Sequence, residues 1–486
     1  MPRALPSAIF SDDFSNNRFV TPKKCGSRMN RRKLGFISAV TITSLLPLES
    51  DAARFKGYPQ PTMPPPVSAN QNHEPLHPHE LRGPIERESQ LLAPQSDREQ
   101  KAEDTDEAEV DEPWSGTLFG ERFHVFGPNQ SVTGEFAYTG EVFNNAHGGI
   151  STSGATAYRG NLDLVLSIDM DACVGIPGGT FFIYGQNNHG RSITTDYVGD
   201  YQTLSNLDAD PFSQISEYWW MQEFGEGNLW FKLGKQDANA DFCALDLAGD
   251  FIGSSFGVIP NVPLPTFPSP GMGAAAFVNW SDSLTLKAGI YDGDPHGGAW
   301  GFDNLGSNGT FSIFEAAWQP RFGANAQLTG VYRLGVWRHS EDVEHLDGSG
   351  QSRTDNHGIY TAIDQLVYRE NDDPESDEGM GIFFQYGWAP EQYNEIGHYY
   401  GGGLNYKGLI PGREDDYIGL GYAYAEWSRT LQKNEGYSYE AVVELFYLIQ
   451  VTDYMVLQPD LQFISNPGGL DGRDALALGL RFEIVL

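Results

Sequence analysis

Large apolar residues occupy every second position in many segments of this 486-residue chain. In the closing stretch "ALALGLRFEIVL", Leu476, Leu480, Phe482 and Leu486 belong to one series, and small or polar residues lie between its members. A period of two is typical of a β-strand, in which successive side chains point to opposite faces. The pattern therefore predicts that the chain ends in a strand with one apolar face.

The same alternation recurs from Trp114 onward, and helical spacing does not fit it. It is present in "SVTGEFAYTGEVF", "NLDLVLSID", "LTLKAGIY", "AQLTGVYRLGVW", "MGIFFQYGW" and "YIGLGYAYAEW". Turns rich in Gly, Asp, Asn and Pro separate the segments, as do longer polar loops such as "GSSFGVIPNVPLPTFPSPGMG" and "RENDDPESDEG". At roughly ten residues per strand plus turns, this length accommodates about 16 strands. Pro459 removes a ladder donor, which predicts a bulge or bend in its strand.

The apolar faces often carry Tyr, Trp or Phe near a strand end, where aromatic rings favour a bilayer interface. The chain contains no run of 18 apolar residues that would span a membrane as a helix. We therefore predict an all-β fold, a transmembrane antiparallel β-barrel, with Leu486 facing lipid at the end of the closing strand. Outer-membrane lipid and the barrel-assembly machinery are the partners expected of such a fold. A soluble β-sandwich or lectin is the alternative.

The N-terminal region differs from the rest of the chain. "MNRRKLGFISAVTITSLLPLESDA" has a basic start, a short apolar stretch and small residues at Ser50 and Ala52, as a secretory signal does. We predict a signal peptide over residues 1–52, with Met29 as an alternative start. Residues 53–113 are proline-rich and then acidic, which predicts a disordered periplasmic leader. The barrel is expected over residues 114–486, in the outer membrane of a Gram-negative-type bacterium.

Charge and cysteine content narrow the choice of partners. The chain has 65 Asp and Glu against 31 Lys and Arg, which argues against nucleic acid as a partner. Cys25 is lost with the predicted signal, so Cys173 and Cys243 remain as an even pair in an oxidising compartment. A disulfide between these two is one hypothesis, and two free thiols are the other. We expect no cofactor and no metal site.

Four segments together resemble the carbohydrate-selective outer-membrane porins of the OprB type. They are "FKLGKQDANADFCALDLAGDFIGSSFGVIP", "GIYDGDP", "GGGLNYKGLIPGREDDYIGLGYAYAE" and "YEAVVELFYLIQVTDYMVLQPDLQFISNPGG". The resemblance covers about residues 114–486. It implies a 16-stranded barrel through which sugars and other small hydrophilic solutes pass by diffusion. It does not identify the sugar, and the acidic leader has no counterpart in it. A monomer or a trimer is consistent with it.

Lumen-facing polar residues are the functional candidates in a pore, because diameter, charge and hydrogen-bonding groups set selectivity. The alternation assigns these to the lumen: Glu135, Asp163, Lys287, Arg333, Gln385, Glu444, Gln458, Asp460 and Gln462. The segments that carry the resemblance add Lys235, Asp237, Arg413 and Asp416. Ordinary solvation of the wall is the alternative role for most of them. For Arg413 and Asp416 the alternative is an ion pair that locks a turn.

Aromatic residues are a second kind of candidate, since the C–H faces of sugars stack on rings. Trp219, Trp220 and Trp230 are close in sequence and lie in or beside alternating segments. At least one of an adjacent pair must face lipid instead, because neighbouring strand residues point in opposite directions.

Three other function classes are alternatives to the sugar porin. A general or cation-preferring diffusion porin without sugar specificity is favoured by the 48 acidic and 17 basic residues within 114–486. The same excess argues against a phosphate channel. An outer-membrane hydrolase would need an oriented Ser–His pair, and the chain has no GxSxG motif. We therefore expect a protein that is not an enzyme.

Overall fold

The computed structural model describes residues 124–127, 130–295, 300–302, 305–306, 309–323, 326–371, 378–470 and 472–485. The predicted signal peptide, the predicted leader and Leu486 lie outside these residues. In the described part of the chain no helix is long and apolar enough to cross a membrane.

Sixteen long strands form the wall of the described structure, and two short strands extend it. The long strands are β2 (Val132–His147), β3 (Thr156–Asp169), β4 (Gly179–Gly190), β5 (Phe212–Phe224), β6 (Leu229–Gln236), β7 (Gly271–Ser281), β8 (Leu284–Asp292), β9 (Thr310–Trp318), β11 (Leu328–Glu344), β12 (Ser352–Arg369), β13 (Gly379–Trp388), β14 (Ile396–Lys407), β15 (Tyr417–Trp427), β16 (Tyr439–Thr452), β17 (Met455–Ser465) and β18 (Ala475–Val485). The short strands are β1 (His124–Phe126), paired with β2, and β10 (Arg321–Phe322), paired with β11. Short helices occur between strands: α1 (Met170–Val174), α2 (Ser254–Gly257) and α3 (Arg429–Glu435).

Every long strand pairs antiparallel with its neighbours, and the sheet closes on itself. β18 pairs with β2 through contacts such as Arg481 with Glu141, and β9 pairs directly with β11. Closure leaves no free edge among the long strands, as a membrane barrel requires. The prediction of a barrel of about 16 strands is confirmed.

The alternation in the sequence corresponds to the two faces of the wall. Leu164, Leu334 and Leu480 are well exposed on the outside, whereas their neighbours Asp163, Arg333 and Arg481 are buried on the inside. β2 pairs with β3, and β17 with β18, without a register shift. Inward residues of one strand therefore pair with inward residues of the next. The apolar face therefore surrounds the barrel and the polar face lines its interior.

The two ends of the barrel differ in their connections. One end, here called the turn end, includes residues 170–178, 225–228, 282–283 and 453–454. The other end, here called the loop end, includes the longer connections 191–211, 237–270 and 293–309. Short turns at one end and long loops at the other are typical of outer-membrane barrels.

Pro459 does not produce the predicted bulge. It faces outward and pairs with Leu480 without a register shift along β17 and β18. On its other side, the ladder with β16 resumes in register after a gap at Tyr447 and Leu448. The missing donor therefore interrupts the ladder locally, and the strand accommodates it without an extra residue.

Candidate functional site: the barrel interior

Residues 237–270, here called the inner loop, fold into the barrel from the loop end. Phe251 packs against Phe383 and Phe446 of the wall, with ring centroids 5.2 and 4.9 Å apart, and Phe256 lies 4.7 Å from Phe251. All four rings are almost fully buried. The expectation of a polar loop was therefore wrong here: its apolar residues pack against inward aromatic rings.

Wall glycines make room for the inner loop. A Cβ atom on Gly421 would lie 2.6 Å from the rings of both Phe251 and Phe256. A Cβ atom on Gly381 would lie 2.6 Å from Leu247. These distances are too short for non-bonded atoms, so at these positions only glycine lets the loop lie against the wall without a shift.

Wall carboxylates hold the inner loop by its backbone. Glu444 accepts hydrogen bonds from the amides of Ile252 at 2.6 Å and Gly253 at 2.8 Å. Asp364 accepts from the amides of Asp246 and Leu247 at 3.2 and 3.1 Å. Buried amides need acceptors, and an ionised acceptor gives a stronger bond than a neutral one. These carboxylates therefore satisfy the loop and fix its position.

Glutamine side chains bind loop carbonyls from the same wall. Gln385 Nε2 donates to the carbonyl oxygen of Ser255 at 2.6 Å, and Gln458 Nε2 donates to that of Asp250 at 2.6 Å. Both side chains are buried. Three predicted pore residues, Gln385, Glu444 and Gln458, are thus brought together around the inner loop.

A second segment, residues 199–208, here called the strap, lies against another part of the wall. Glu440 accepts hydrogen bonds from the amides of Tyr201 and Gln202, both at 2.7 Å. Gln462 Nε2 donates to the carbonyl oxygen of Leu204 at 2.9 Å. Arg481 donates to Asn206 Oδ1 at 2.6 Å. The strap is therefore fixed by the same kinds of contact as the inner loop.

Inward basic residues of the wall are paired with carboxylates. Arg333 lies 2.7 Å from Asp364, and Lys287 lies 2.8 Å from Glu315. Arg481 lies 2.7 Å from Glu141, where β18 closes on β2. Removing one partner of such a pair leaves a buried charge uncompensated and is strongly destabilising. The predicted pore residues Lys287 and Arg333 therefore belong to the network that supports the inner loop.

Glu135, Asp163 and Asp460 also lie on the inward face. Asp163 accepts hydrogen bonds from Tyr184 at 2.6 Å and Gln186 at 3.1 Å. Asp460 Oδ1 accepts from Gln462 at 3.1 Å. The inward orientation agrees with the alternation, and a role in contact with solutes stays a prediction for all three.

Asp237 ties the two ends of the inner loop together. Its carboxylate accepts hydrogen bonds from Asn239 N at 2.8 Å, Thr266 Oγ1 at 2.9 Å and Phe267 N at 3.2 Å. Burial and the nearby carboxylate of Glu217 raise the pKa of Asp237 to about 7, although these hydrogen bonds act in the opposite direction. Asp237 is therefore a group at the base of the loop that changes charge near neutral pH.

Three of the predicted pore residues do not line the interior. Lys235 lies on the outward face of β6, in phase with Phe231 and Leu233, so the motif position gave the wrong side of the wall. Arg413 and Asp416 lie in the turn between β14 and β15 and form a bidentate pair at 2.8 and 2.7 Å. Asp416 also accepts from Tyr447 Oη at 2.5 Å and Gln450 N at 3.0 Å, so this pair locks a turn.

The tryptophans divide between the two faces as the alternation requires. Trp219 faces inward, stacks on Phe182 at 4.6 Å and carries Lys232 Nζ over its ring at 4.6 Å. Trp230 is also inward and stacks on Phe277 at 5.2 Å. Trp220 faces outward. The two inward rings are covered by neighbouring side chains, so they are packing residues of the interior.

Of the two hypotheses for Cys173 and Cys243, the structure agrees with free thiols and not with a disulfide. Both cysteines are free thiols in the structure. Cys173 lies in α1 at the turn end, whereas Cys243 is buried in the inner loop, which enters from the loop end. An even cysteine count carries no information about which ends of a barrel the two residues occupy.

Sequence reasoning missed Glu315, Asp364 and Glu440, which hold the inner loop or the strap. A signal for the inner loop was present in its composition. Phe251, Phe256 and the apolar residues that follow them are unusual for an exposed loop of this length, and they indicate burial.

Comparisons with known proteins agree with this architecture. The model of the carbohydrate-selective porin family OprB matches residues 153–486. Porin B of Pseudomonas aeruginosa is 26% identical over 72% of this chain and 86% of its own length. A putative porin, QuiX, of Acinetobacter baylyi is 22% identical over 71% of this chain and 87% of its own.

A solved structure shares the fold. The high-pH structure of OprB from Pseudomonas putida superposes with a TM-score of 0.67 at 23% identity, covering 73% of this chain and 94% of that one. The family match extends over more than half of the chain and includes the wall strands from β3 to β18. The chain therefore belongs to the OprB family of carbohydrate-selective porins and is a porin of the Gram-negative outer membrane.

Proposed function

We propose that carbohydrates and other small hydrophilic solutes cross this barrel by passive diffusion, through the space that the inner loop and the strap leave beside the wall. The observation that carries this proposal is the anchoring of both segments inside the barrel by Glu444, Asp364 and Glu440. A segment held at fixed points narrows a channel to a constant width, which sets a size limit for solutes.

Liposome swelling with a size series of neutral sugars tests this proposal. Purified protein in vesicles should admit monosaccharides fastest, and the entry rate should fall as the sugar becomes larger. Entry of one sugar out of size order would support a specific binding site in the narrowed region. Rates no higher than those of protein-free vesicles would contradict the proposal.

A general diffusion porin with a preference for cations is the second candidate. The excess of acidic over basic residues within 114–486 favours it. The two candidates differ in one measurable property: a general porin admits sugars in strict size order, whereas a sugar-selective one departs from that order for its substrate.

We further propose that the protein works without catalysis, in contact with outer-membrane lipid, and that the barrel-assembly machinery inserts it as a monomer or a trimer. Its exposed outward residues, such as Leu164, Leu334 and Leu480, suit a lipid environment. A purified mature chain that stays monodisperse in buffer without detergent would contradict the membrane part of this proposal. Mass determination in detergent decides the number of copies.

A further inference from the structure

A row of residues on the outward face interrupts the apolar surface of β5 to β8 near the loop end. Tyr218 of β5 pairs with Lys235 of β6, and Lys235 pairs with Met272 of β7. Asp292 ends β8 on the same face. A lysine and an aspartate at the edge of the lipid-facing band are costly unless something covers them.

The described residues 300–302 and 305–306 of the loop between β8 and β9 cover this row. Tyr218 Oη donates to the carbonyl oxygen of Trp300 at 2.5 Å, and the two rings meet edge-on at 5.9 Å. A Cβ atom on Gly301 would lie 2.9 Å from Met272 Cγ and 3.7 Å from Lys235 Cδ. The backbone of this loop therefore rests directly on the outer wall. Residues 300–302 and 305–306 are here called the outer flap.

The outer flap encloses both charged groups of the row. Lys235 is only 2% exposed, and its Nζ donates to the carbonyl oxygen of Ile215 at 2.9 Å. Gly306 N donates to Asp292 Oδ1 at 3.2 Å. Lys235 and Asp292 thus each have a hydrogen-bond partner within the protein beneath the flap.

The outer surface of the flap is apolar. Trp300, Phe302 and Leu305 are 61%, 55% and 50% exposed. On the wall just below, Leu233 is 63% exposed on the same face. The apolar surface of the flap therefore continues the lipid-facing surface of the barrel.

Strand length explains why this side needs an addition. β6 has 8 residues and β8 and β9 have 9 each, whereas β11 and β12 have 17 and 18. At a rise of about 3.3 Å per residue and a tilt of about 40°, eight residues span roughly 20 Å, less than the apolar band of about 25 Å in such barrels. Without the flap, the strands on this side would not span the full apolar band of the membrane.

We propose that the outer flap is embedded in the outer leaflet of the membrane, where Trp300, Phe302 and Leu305 contact lipid at the boundary between headgroups and acyl chains. Tryptophan favours this depth because its ring is apolar and its N–H is polar. Lipid is the occupant that fits, because the flap extends a surface that is already lipid-facing, and its described residues 300–302 and 305–306 carry no charged side chain.

Tryptophan fluorescence in vesicles tests the location of the flap. The contribution of Trp300 is the emission of the wild type minus that of Trp300→Phe, a conservative change that leaves the apolar contacts. Lipids brominated at the top of the acyl chains should reduce this difference by about twofold or more, and acrylamide in the water should leave it nearly unchanged. Quenching by acrylamide alone would place the flap in water and overturn the proposal. Protection from both quenchers, with cross-linking between copies, would also overturn it.

Chemical labelling of Lys235 gives a second test that does not depend on fluorescence. Phe302→Asp should lift the flap, so an amine reagent that cannot cross the membrane should acylate Lys235 several-fold faster than in the wild type, read by peptide mass spectrometry. Ile150→Asp is the matched control, because Ile150 is equally exposed, at 59%, in another loop at the same end. Equal labelling of Lys235 in both variants, with heat-modifiable mobility confirming folded barrels, would contradict the proposal.

Discussion

At the scale of single residues, the wall glycines determine how closely the inner loop can approach. Gly421→Val introduces a side chain where a Cβ atom alone would already lie 2.6 Å from Phe251 and Phe256. Overpacking of this kind typically costs about 1–3 kcal/mol. The loop should shift away from β15 into the lumen and narrow the channel, so trisaccharide entry relative to monosaccharide entry should fall in liposome swelling.

Gly185→Val is the control for that change. Gly185 lies on β4, and the nearest atom to its added Cβ would be 3.8 Å away. The same valine in a strand should therefore leave the ratio of sugar rates unaltered. If both variants behave like the wild type, Gly421 does not set the position of the inner loop.

At the scale of elements, the inner loop should be held more tightly at acidic than at basic pH. The pKa of Asp237 is raised by burial and Glu217 to about 7 in the docked loop, well above its ordinary value of 3.8. Between about pH 3.8 and pH 7, the Asp237 carboxyl is therefore protonated in the docked loop and ionised in the released loop. This contribution to docking is complete below about pH 3.8, is lost as the pH rises from there through about 7, and stays constant at higher pH. Lys232 and Tyr291 interact with this group, and Glu217 faces it from β5.

Hydrogen exchange of peptides from residues 237–243 measures this effect. After correction for intrinsic exchange rates, the opened fraction should be up to about tenfold larger at pH 8 than at pH 6. Asp237→Asn mimics the protonated side chain and should remove the difference while leaving the barrel strands protected. A wild-type loop with the same protection at both pH values would rule out Asp237 as the titrating group.

The strands could be predicted from sequence because their signal is local. Leu478 and Leu480 face lipid, and Gly479 and Arg481 face inward, because neighbours in a strand must alternate. The position of the inner loop could not be predicted in this way. One hydrogen bond that holds it joins the amide of Ile252 to Glu444, and these residues are 192 positions apart in the sequence. A motif alone did not predict which face Lys235 occupies. Its segment resembles the family, but Lys235 faces outward and is covered by residues of a different loop.

At the scale of the whole molecule, the acidic excess should give a weaker cation preference than the count suggests. Residues 114–486 contain 48 acidic and 17 basic residues. Glu444, Asp364 and Glu315 accept hydrogen bonds from backbone amides of the inner loop, and the latter two also pair with Arg333 and Lys287. Amide donors and basic side chains therefore neutralise much of the charge of these carboxylates, which then contribute little to the electrostatic potential along the solute path.

The reversal potential in a tenfold salt gradient should therefore have the sign of cation preference but fall far short of the value of about 59 mV that perfect selectivity gives. Glu483 lies on the inward face near the closure of β18 on β2, so replacing it by Gln should reduce the potential further. Glu414→Gln removes one carboxylate from an exposed position outside the wall and should change the potential less, because salt screens exposed charges. A larger effect of Glu414→Gln, or anion preference in the wild type, would show that charges outside the wall control ion passage.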